Sequence, residues 1–200
     1  MPHRSTVREI EIKLRIRDVA ALIAKIRRLG AACEGRVFEE NTLFDTPESD
    51  FRRSGRLLRV RIEMPAPSGI LPGGKRHAVV TSKSPAPASE RSSYKEKLER
   101  ELRIRSPERW HTVLGSLGFK PGFCYEKHRT TFRLPGLHLD LDETPVGAFL
   151  ELEGSPQAID RAARLLGFSR RDYIRGTYWD VFQADCRRRG RFPKNMRFRT

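Results

Sequence analysis

The stretch Glu9-Ile10-Glu11-Ile12-Lys13-Leu14-Arg15-Ile16-Arg17 decides how this chain is read. Strict alternation of apolar and polar residues is the signature of a β-strand with two unlike faces. Ile10, Ile12, Leu14 and Ile16 point one way, and Glu9, Glu11, Lys13, Arg15 and Arg17 the other. Paired acids followed by paired bases on one pleated face can hold a cation and an anion side by side. For a strand taken alone, the ordinary reading is the solvated face of an antiparallel sheet. Repetition along the chain weakens that reading.

Working outward, Asp18 caps a helix running through Leu29 and closed by Gly30, with Val19, Leu22, Ile23, Ile26 and Leu29 as its packing stripe. Val37 to Asp45 reads as a second strand ending in an Asp-Thr-Pro turn. Leu57 to Glu63 sets Arg59, Arg61 and Glu63 against Leu58, Val60 and Ile62, and Ala78 to Lys83 ends in Lys83-Ser84-Pro85. Met64 to Arg76 is a Pro/Gly-rich loop, and a Pro/Ser/Ala linker runs to about Ser89. Tyr94 to Arg105 places Lys97, Glu99, Glu101, Arg103 and Arg105 on one face. A solvated helix is the other reading of that charge run. Ser106-Pro107 opens a helix that Gly118 ends.

Cys124 to Leu134 presents Lys127, Arg129, Thr131 and Arg133 together. After a Pro135-Gly136 turn, Leu137 to Glu143 opposes His138, Asp140 and Asp142 to three leucines, and Phe149 to Gly154 opposes Glu151 and Glu153 to Leu150 and Leu152. Ser155-Pro156 starts a helix stopped by Gly167, and a last helix is predicted from Asp172 to about Cys186. Seven strand candidates thus carry a charged face opposite an apolar one. Either the charged faces of an open sheet meet water, or a closed antiparallel barrel turns them inward to line a polar tunnel beneath outer helices. The pattern alone leaves both open.

Of the 200 residues, 38% are hydrophobic and 32% charged, less apolar material than a typical packed domain has. The net charge of +15 calls for an acidic partner, such as a phosphate-rich small molecule, nucleic acid or an anionic surface. Seven bases and no acids follow Cys186, and the body remains basic without them. Residues 1–186 read as one domain and 187–200 as a basic tail, disordered in isolation, able to bind polyanions weakly. Deleting the tail is expected to leave turnover nearly intact. Cys33, Cys124 and Cys186 form no C-x-x-C pair, which argues against a disulfide framework or zinc site and fits a reducing cytosol. No signal-peptide core or membrane-length apolar run is present, so the expected location is cytoplasmic, as a monomer or homodimer. No G-x-x-x-x-G-K-[ST] phosphate loop occurs.

Glu9-x-Glu11-x-Lys13 resembles the defining motif of the CYTH domain, the triphosphate tunnel metalloenzyme superfamily. Further pieces follow in the family's order: Arg59-x-Arg61, Thr81-x-Lys83-x-Pro85, Lys97-x-Glu99-x-Glu101, Lys127-x-Arg129, Asp140-x-Asp142, Phe149-x-Glu151-x-Glu153 and Thr177-Tyr178. The likeness spans residues 7 to about 183. Two features depart from it: the Arg61–Lys83 segment is longer than the family's tight hairpin, and the short turn before Phe149 carries Pro145. The resemblance implies an α+β protein dominated by β, a closed antiparallel barrel with a charged interior and helices outside.

It also implies metal-dependent hydrolysis of inorganic, nucleoside or thiamine triphosphate, with class IV adenylate cyclase as the alternative. Hard cations, Mg2+ or Mn2+, choose carboxylate oxygens. Glu9, Glu11, Asp142, Glu151 and Glu153 are the candidate metal ligands, with Glu99, Glu101 and Asp140 as supporting acids. Lys13, Arg59, Arg61, Lys83, Lys127 and Arg129 are the candidate phosphate-binding bases. Glu9, Glu11 and Lys83 are the residues assigned to catalysis, Lys83 as a candidate base. A remoter reading is a basic nucleic-acid-binding module, with steeply salt-dependent binding.

Overall fold

The computed structural model describes residues 6–65, 76–87, 93–192 and 194–199. Eight strands run in chain order: β1 (Val7–Ile16), β2 (Ala32–Asp45), β3 (Leu57–Pro65), β4 (His77–Pro85), β5 (Lys95–Ile104), β6 (Lys120–Leu134), β7 (Leu137–Thr144) and β8 (Gly147–Gly154). They close into one barrel in the order β1-β5-β4-β3-β2-β6-β7-β8, every neighbour antiparallel. The closing strand is β1. Its first half pairs with β5 (Glu9 opposite Lys97, Glu11 opposite Lys95), and its second half with β8 (Glu11 opposite Glu153, Lys13 opposite Glu151).

Helices α1 (Val19–Arg28), α2 (Asp50–Arg53), α3 (Pro107–Ser116), α4 (Pro156–Leu166) and α5 (Tyr178–Arg188) lie outside the barrel. Ile12, Leu14, Ile16, Leu139, Leu141, Leu150 and Leu152 are buried beneath Leu22 and Ile26 of α1 and Ile159, Ala162, Ala163 and Leu166 of α4. Phe44, Val60, Ala78 and Ile104 pack beneath Leu114 and Trp110 of α3. Each large apolar side chain buried this way contributes about 1.5–3 kcal/mol, so the apolar faces are committed to the outer helices. With period-2 alternation, the charged faces then have only the interior. That excludes the solvated-sheet reading, and it excludes a helix over Tyr94–Arg105.

Local chemistry explains the connections. Asp18 Oδ1 accepts from Ala21 N at 2.9 Å to start α1, and Ser155 Oγ accepts from Ala158 N at 3.2 Å to start α4. Gly136 turns β6 into β7 with φ +69°, and its carbonyl lies where a Cβ on Gly154 would come within 2.6 Å, so residue 154 must also be glycine. The Pro145 turn is closed by Thr144 Oγ1 donating to Gly147 O at 2.7 Å, with Gly147 at φ +122°.

Three boundaries differ from expectation by more than two residues. Strand β2 begins at Ala32 rather than Val37 and β6 at Lys120 rather than Cys124, because these two pair along nearly their whole length, with register shifts near Gly35 and Leu43 that break the alternation. The last helix begins at Tyr178, not Asp172. Asp172 belongs to a 3-10 turn, Ile174 exchanges backbone hydrogen bonds with Lys13, and Thr177 with Asp180 forms the capping box that starts α5. Most of the Pro/Gly-rich loop and of the linker beyond Pro87 falls outside the described residues.

The C-terminal segment is also built differently from the free tail expected. Met196 pairs in parallel with Tyr125, its N–H donating to Cys124 O at 3.0 Å and its carbonyl accepting from Glu126 N at 2.9 Å. Asn195 Oδ1 accepts from Cys124 N, and Phe198 N donates to Glu126 Oε2, both at 2.9 Å. Met196 is 1% exposed, among Phe123, Tyr125, Val146, Phe149, Tyr178 and Val181. Composition hid this because one methionine and a backbone ladder anchor an otherwise polar segment. Met196→Ala is expected to destabilise the protein by about 2 kcal/mol or more, read from urea unfolding. An unchanged midpoint would mean the segment is not held there.

Candidate active site

A cavity of about 390 Å³ occupies the barrel interior. Glu9, Glu11, Lys13, Arg59, Arg61, Lys83, Glu99, Glu101, Lys127, Arg129, Asp140, Glu151 and Glu153 all line it. Asp142 is the exception among the residues expected there. It is fully buried behind the wall. Placement of Lys83, which the long β3–β4 connection left open, follows from register: Arg59 faces Thr81 and Leu57 faces Lys83.

One part of the cavity is rich in acids. Lys83 Nζ donates to both oxygens of Glu9 at 2.6 Å and lies 3.3 Å from Glu99, while Lys95 pairs with Glu11. Burial pushes the Glu9 carboxyl up, and Glu11 and Glu99 add to this against the pull of Lys83. Burial pushes Glu11 up as well, but Lys95, helped by Lys83 and Lys13, holds it down at about 2. Burial together with Glu9, Glu11 and Glu99 raises Glu153 to about 7. Four carboxylates here face two ammonium groups, and the excess negative charge appears in the raised pair. This hard-oxygen donor set fits a divalent cation. A cluster of three ligating side chains is not preassembled among the described residues, since Lys83 stands between Glu9 and Glu99.

The other part is rich in bases, each held by acids. Arg129 makes a two-point contact with Asp142 (Nε and Nη2, both 2.7 Å), and reaches Asp140 at 2.7 Å and Glu151 at 2.5 Å. Lys127 lies 2.8 Å from Asp142, and Lys13 lies 2.7 Å from Glu151. Tyr178 Oη donates to Asp142 at 2.6 Å, which is why Thr177-Tyr178 sits where it does. Burial raises Asp142 despite Arg129 and Lys127. In Glu151 burial is outweighed by Lys13 and Arg129, which pull the carboxyl well down. Arg59 donates to Thr81 at 3.1 Å and to Tyr125 Oη at 3.4 Å, while Arg61 lies 3.2 Å from Glu101. Asp142 and Glu151 therefore have their oxygens engaged by bases and a tyrosine.

Sequence reasoning missed Glu39 and Lys95. Glu39 is fully buried, 3.4 Å from Arg61 and from Lys127 and 3.6 Å from Arg129. Those cations outweigh burial and hold it strongly ionised. The available signal was the alternation Val37-x-Glu39-x-Asn41, blurred by Glu40 beside it. Lys95 shares a face with Lys97, but it is Lys95 that meets Glu11. Lys97 donates instead to Gly55 O at 2.7 Å.

A closed barrel with this ion-paired interior defines the class of charged-tunnel folds. The CYTH domain matches residues 7–178, and the chain belongs to the CYTH domain family. Over 159 residues it is 27% identical to "Putative adenylate cyclase MJ0240" of Methanocaldococcus jannaschii, covering 79% of this chain and 83% of that one. It resembles the structure of the PH1012 protein of Pyrococcus horikoshii OT3 with a TM-score of 0.68 and 26% identity, covering 86% of this chain and 98% of that one. HpAC1 of Hippeastrum, whose structure is described as revealing a dominant triphosphatase activity, shares the fold at a TM-score of 0.59 and 20% identity, over 92% of this chain and 97% of that one. No helix among the described residues is long and apolar enough to cross a membrane.

Proposed function

We propose that the barrel binds a triphosphate-containing small molecule and, with Mg2+ or Mn2+, hydrolyses it. One observation carries this: Lys13, Arg59, Arg61, Lys127 and Arg129 converge on one cavity inside the barrel, beside an acid cluster that has too few bases. Phosphoryl transfer needs charge neutralisation and positioning more than covalent help from the protein. Arg59 Nε is buried without a hydrogen-bond partner among the described residues, a donor left for a phosphate oxygen.

Within this reading Asp142, Glu151 and Glu39 position the bases, because Lys13, Lys127, Arg129 and Tyr178 already occupy the oxygens of the first two. Glu9, Glu11 and Glu153, with Glu99, remain the acids for a cation. A divalent cation held there would supply further charge neutralisation and an activated water. Lys83 spans Glu9 and Glu99, which suits it to hold those acids and to bind a phosphate oxygen; we assign it that role in place of general base. The exposed Arg191, Lys194, Arg197 and Arg199 keep weak polyanion contact as a proposal for the surface. Nucleic acid fits the interior poorly, since the bases are enclosed and interleaved with acids.

The dominant triphosphatase activity ascribed to HpAC1 supports hydrolysis. The name of the Methanocaldococcus relative supports a second reading, cyclisation of ATP with release of pyrophosphate. Product analysis with Mg2+ or Mn2+ across tripolyphosphate, ATP and thiamine triphosphate separates them. Orthophosphate is the expected product. Pyrophosphate with cyclic AMP from ATP would establish the cyclase instead, and no turnover of any of the three would sink both readings.

A further inference from the structure

The cavity has an apolar end that phosphate chemistry does not use. Leu43, Leu57, Phe123 and Trp179 line it in continuity with Arg59 and Lys127. Phe123 stacks on Tyr125 (centroids 5.4 Å apart, planes at 20°) and on Phe182 (5.6 Å, 22°), and Trp179 meets it edge-on at 4.9 Å. Met196 packs into the same cluster. The aromatic wall is therefore fixed, while Trp179 itself is only half-buried. Tyr125 accepts from Arg59, so the wall adjoins the bases directly. Trp179 and Phe182 lie beyond residue 178, where the family match stops.

Inorganic triphosphate has no surface to bury against such a wall. We propose that this end is a subsite for the flat ring of an organic triphosphate, with Trp179 as the specificity-determining residue. The inference rests on the triphosphate reading above and names its substrate class. Charge selects the ring. The guanidinium of Arg52 lies over the Trp179 ring at 5.9 Å, and Arg59 lines the same cavity. A cationic ring, such as the thiazolium of thiamine, would compete with Arg52 for the indole and be repelled by both arginines. A neutral purine or pyrimidine meets no such repulsion and stacks on indole and guanidinium alike. The geometry therefore favours a nucleoside triphosphate.

The test reads binding apart from turnover. The chain holds two tryptophans, so Trp110→Phe leaves Trp179 as the only one. In that variant ATP is expected to quench the fluorescence, and tripolyphosphate to compete with ATP without quenching of its own. Trp179→Ala should lower the preference for ATP over tripolyphosphate about tenfold, and Trp179→Phe should restore most of it. Binding of tripolyphosphate by each variant reports that the barrel is intact. Equal losses for both ligands, or a wild-type preference for tripolyphosphate or thiamine triphosphate over ATP, would overturn the subsite. Failure of all three triphosphates to bind would instead overturn the triphosphate reading, and the subsite with it.

Discussion

Glu9→Gln is expected to abolish turnover while leaving the apoprotein as stable as its parent, or more so. Glu9 and Glu11 sit two residues apart on β1, so their carboxylates project from one face at roughly 6–7 Å spacing, near enough to share a cation. Burial, Glu11 and Glu99 all disfavour the Glu9 charge, which is only partly offset by Lys83. Removing that charge relieves repulsion that a bound cation would otherwise relieve. Glu11→Gln should lose turnover too but behave differently in stability. Its carboxyl is held at about 2, below the ordinary 4.5, by Lys95. A depressed native value means stability that is present above pH 4.5 and lost as pH falls toward 2. At neutral pH Glu11→Gln is therefore expected to cost on the order of 2–3 kcal/mol, and the gap from wild type should narrow in acid. Turnover against Mg2+ concentration, with a melting curve for each variant, reads both effects. Wild-type metal dependence in both variants would sink the metal site, whatever happens to the melts.

The contrast between these neighbours was not legible in the sequence. Period-2 alternation placed Glu9 and Glu11 on one face and gave the barrel's eight strands. It could not say which lysine each acid would meet, because that depends on register between β1, β4 and β5. Alternation was equally silent on whether charged faces point in or out. The decision came from α1, α3 and α4 covering the apolar faces. Glu39 escaped because Glu40 beside it gives a strand acid on either face, and only the pairing of Glu39 with Lys127 across β2 and β6 picks the inner one. Asp142 was legible as an interior acid, yet its role was not. Three partners from β6 and α5 converge on it, the last 36 residues away in sequence. Chemistry local to one strand was readable; chemistry assembled by barrel closure was not.

Arg129→Met should be the most damaging single change to stability. The guanidinium contacts Asp140, Asp142 and Glu151 at 2.5–2.7 Å, from a largely buried position. Deleting one partner of a buried ionic network costs about 3–5 kcal/mol, and here it leaves three carboxylates with only the cations Lys127 on Asp142 and Lys13 on Glu151. That is a large share of the roughly 5–15 kcal/mol that holds an ordinary domain folded. Arg129→Lys keeps the charge but not the planar fork, and one ammonium cannot satisfy three carboxylates in these positions. It should recover part of the stability and little of the turnover. The pH dependence identifies the cause. In the wild type, Lys13 and Arg129 hold Glu151 well below its ordinary value, so its contribution is present above about pH 4.5 and lost in acid. Without Arg129, Asp142 and Glu151 can relieve their excess charge by taking up protons. Urea unfolding of wild type and Arg129→Met should therefore show its widest gap near pH 7.5 and a smaller one near pH 4. A gap that stays constant across this range would assign the loss to packing, and one under about 1 kcal/mol at pH 7.5 would mean that the network does not hold the barrel's interior together.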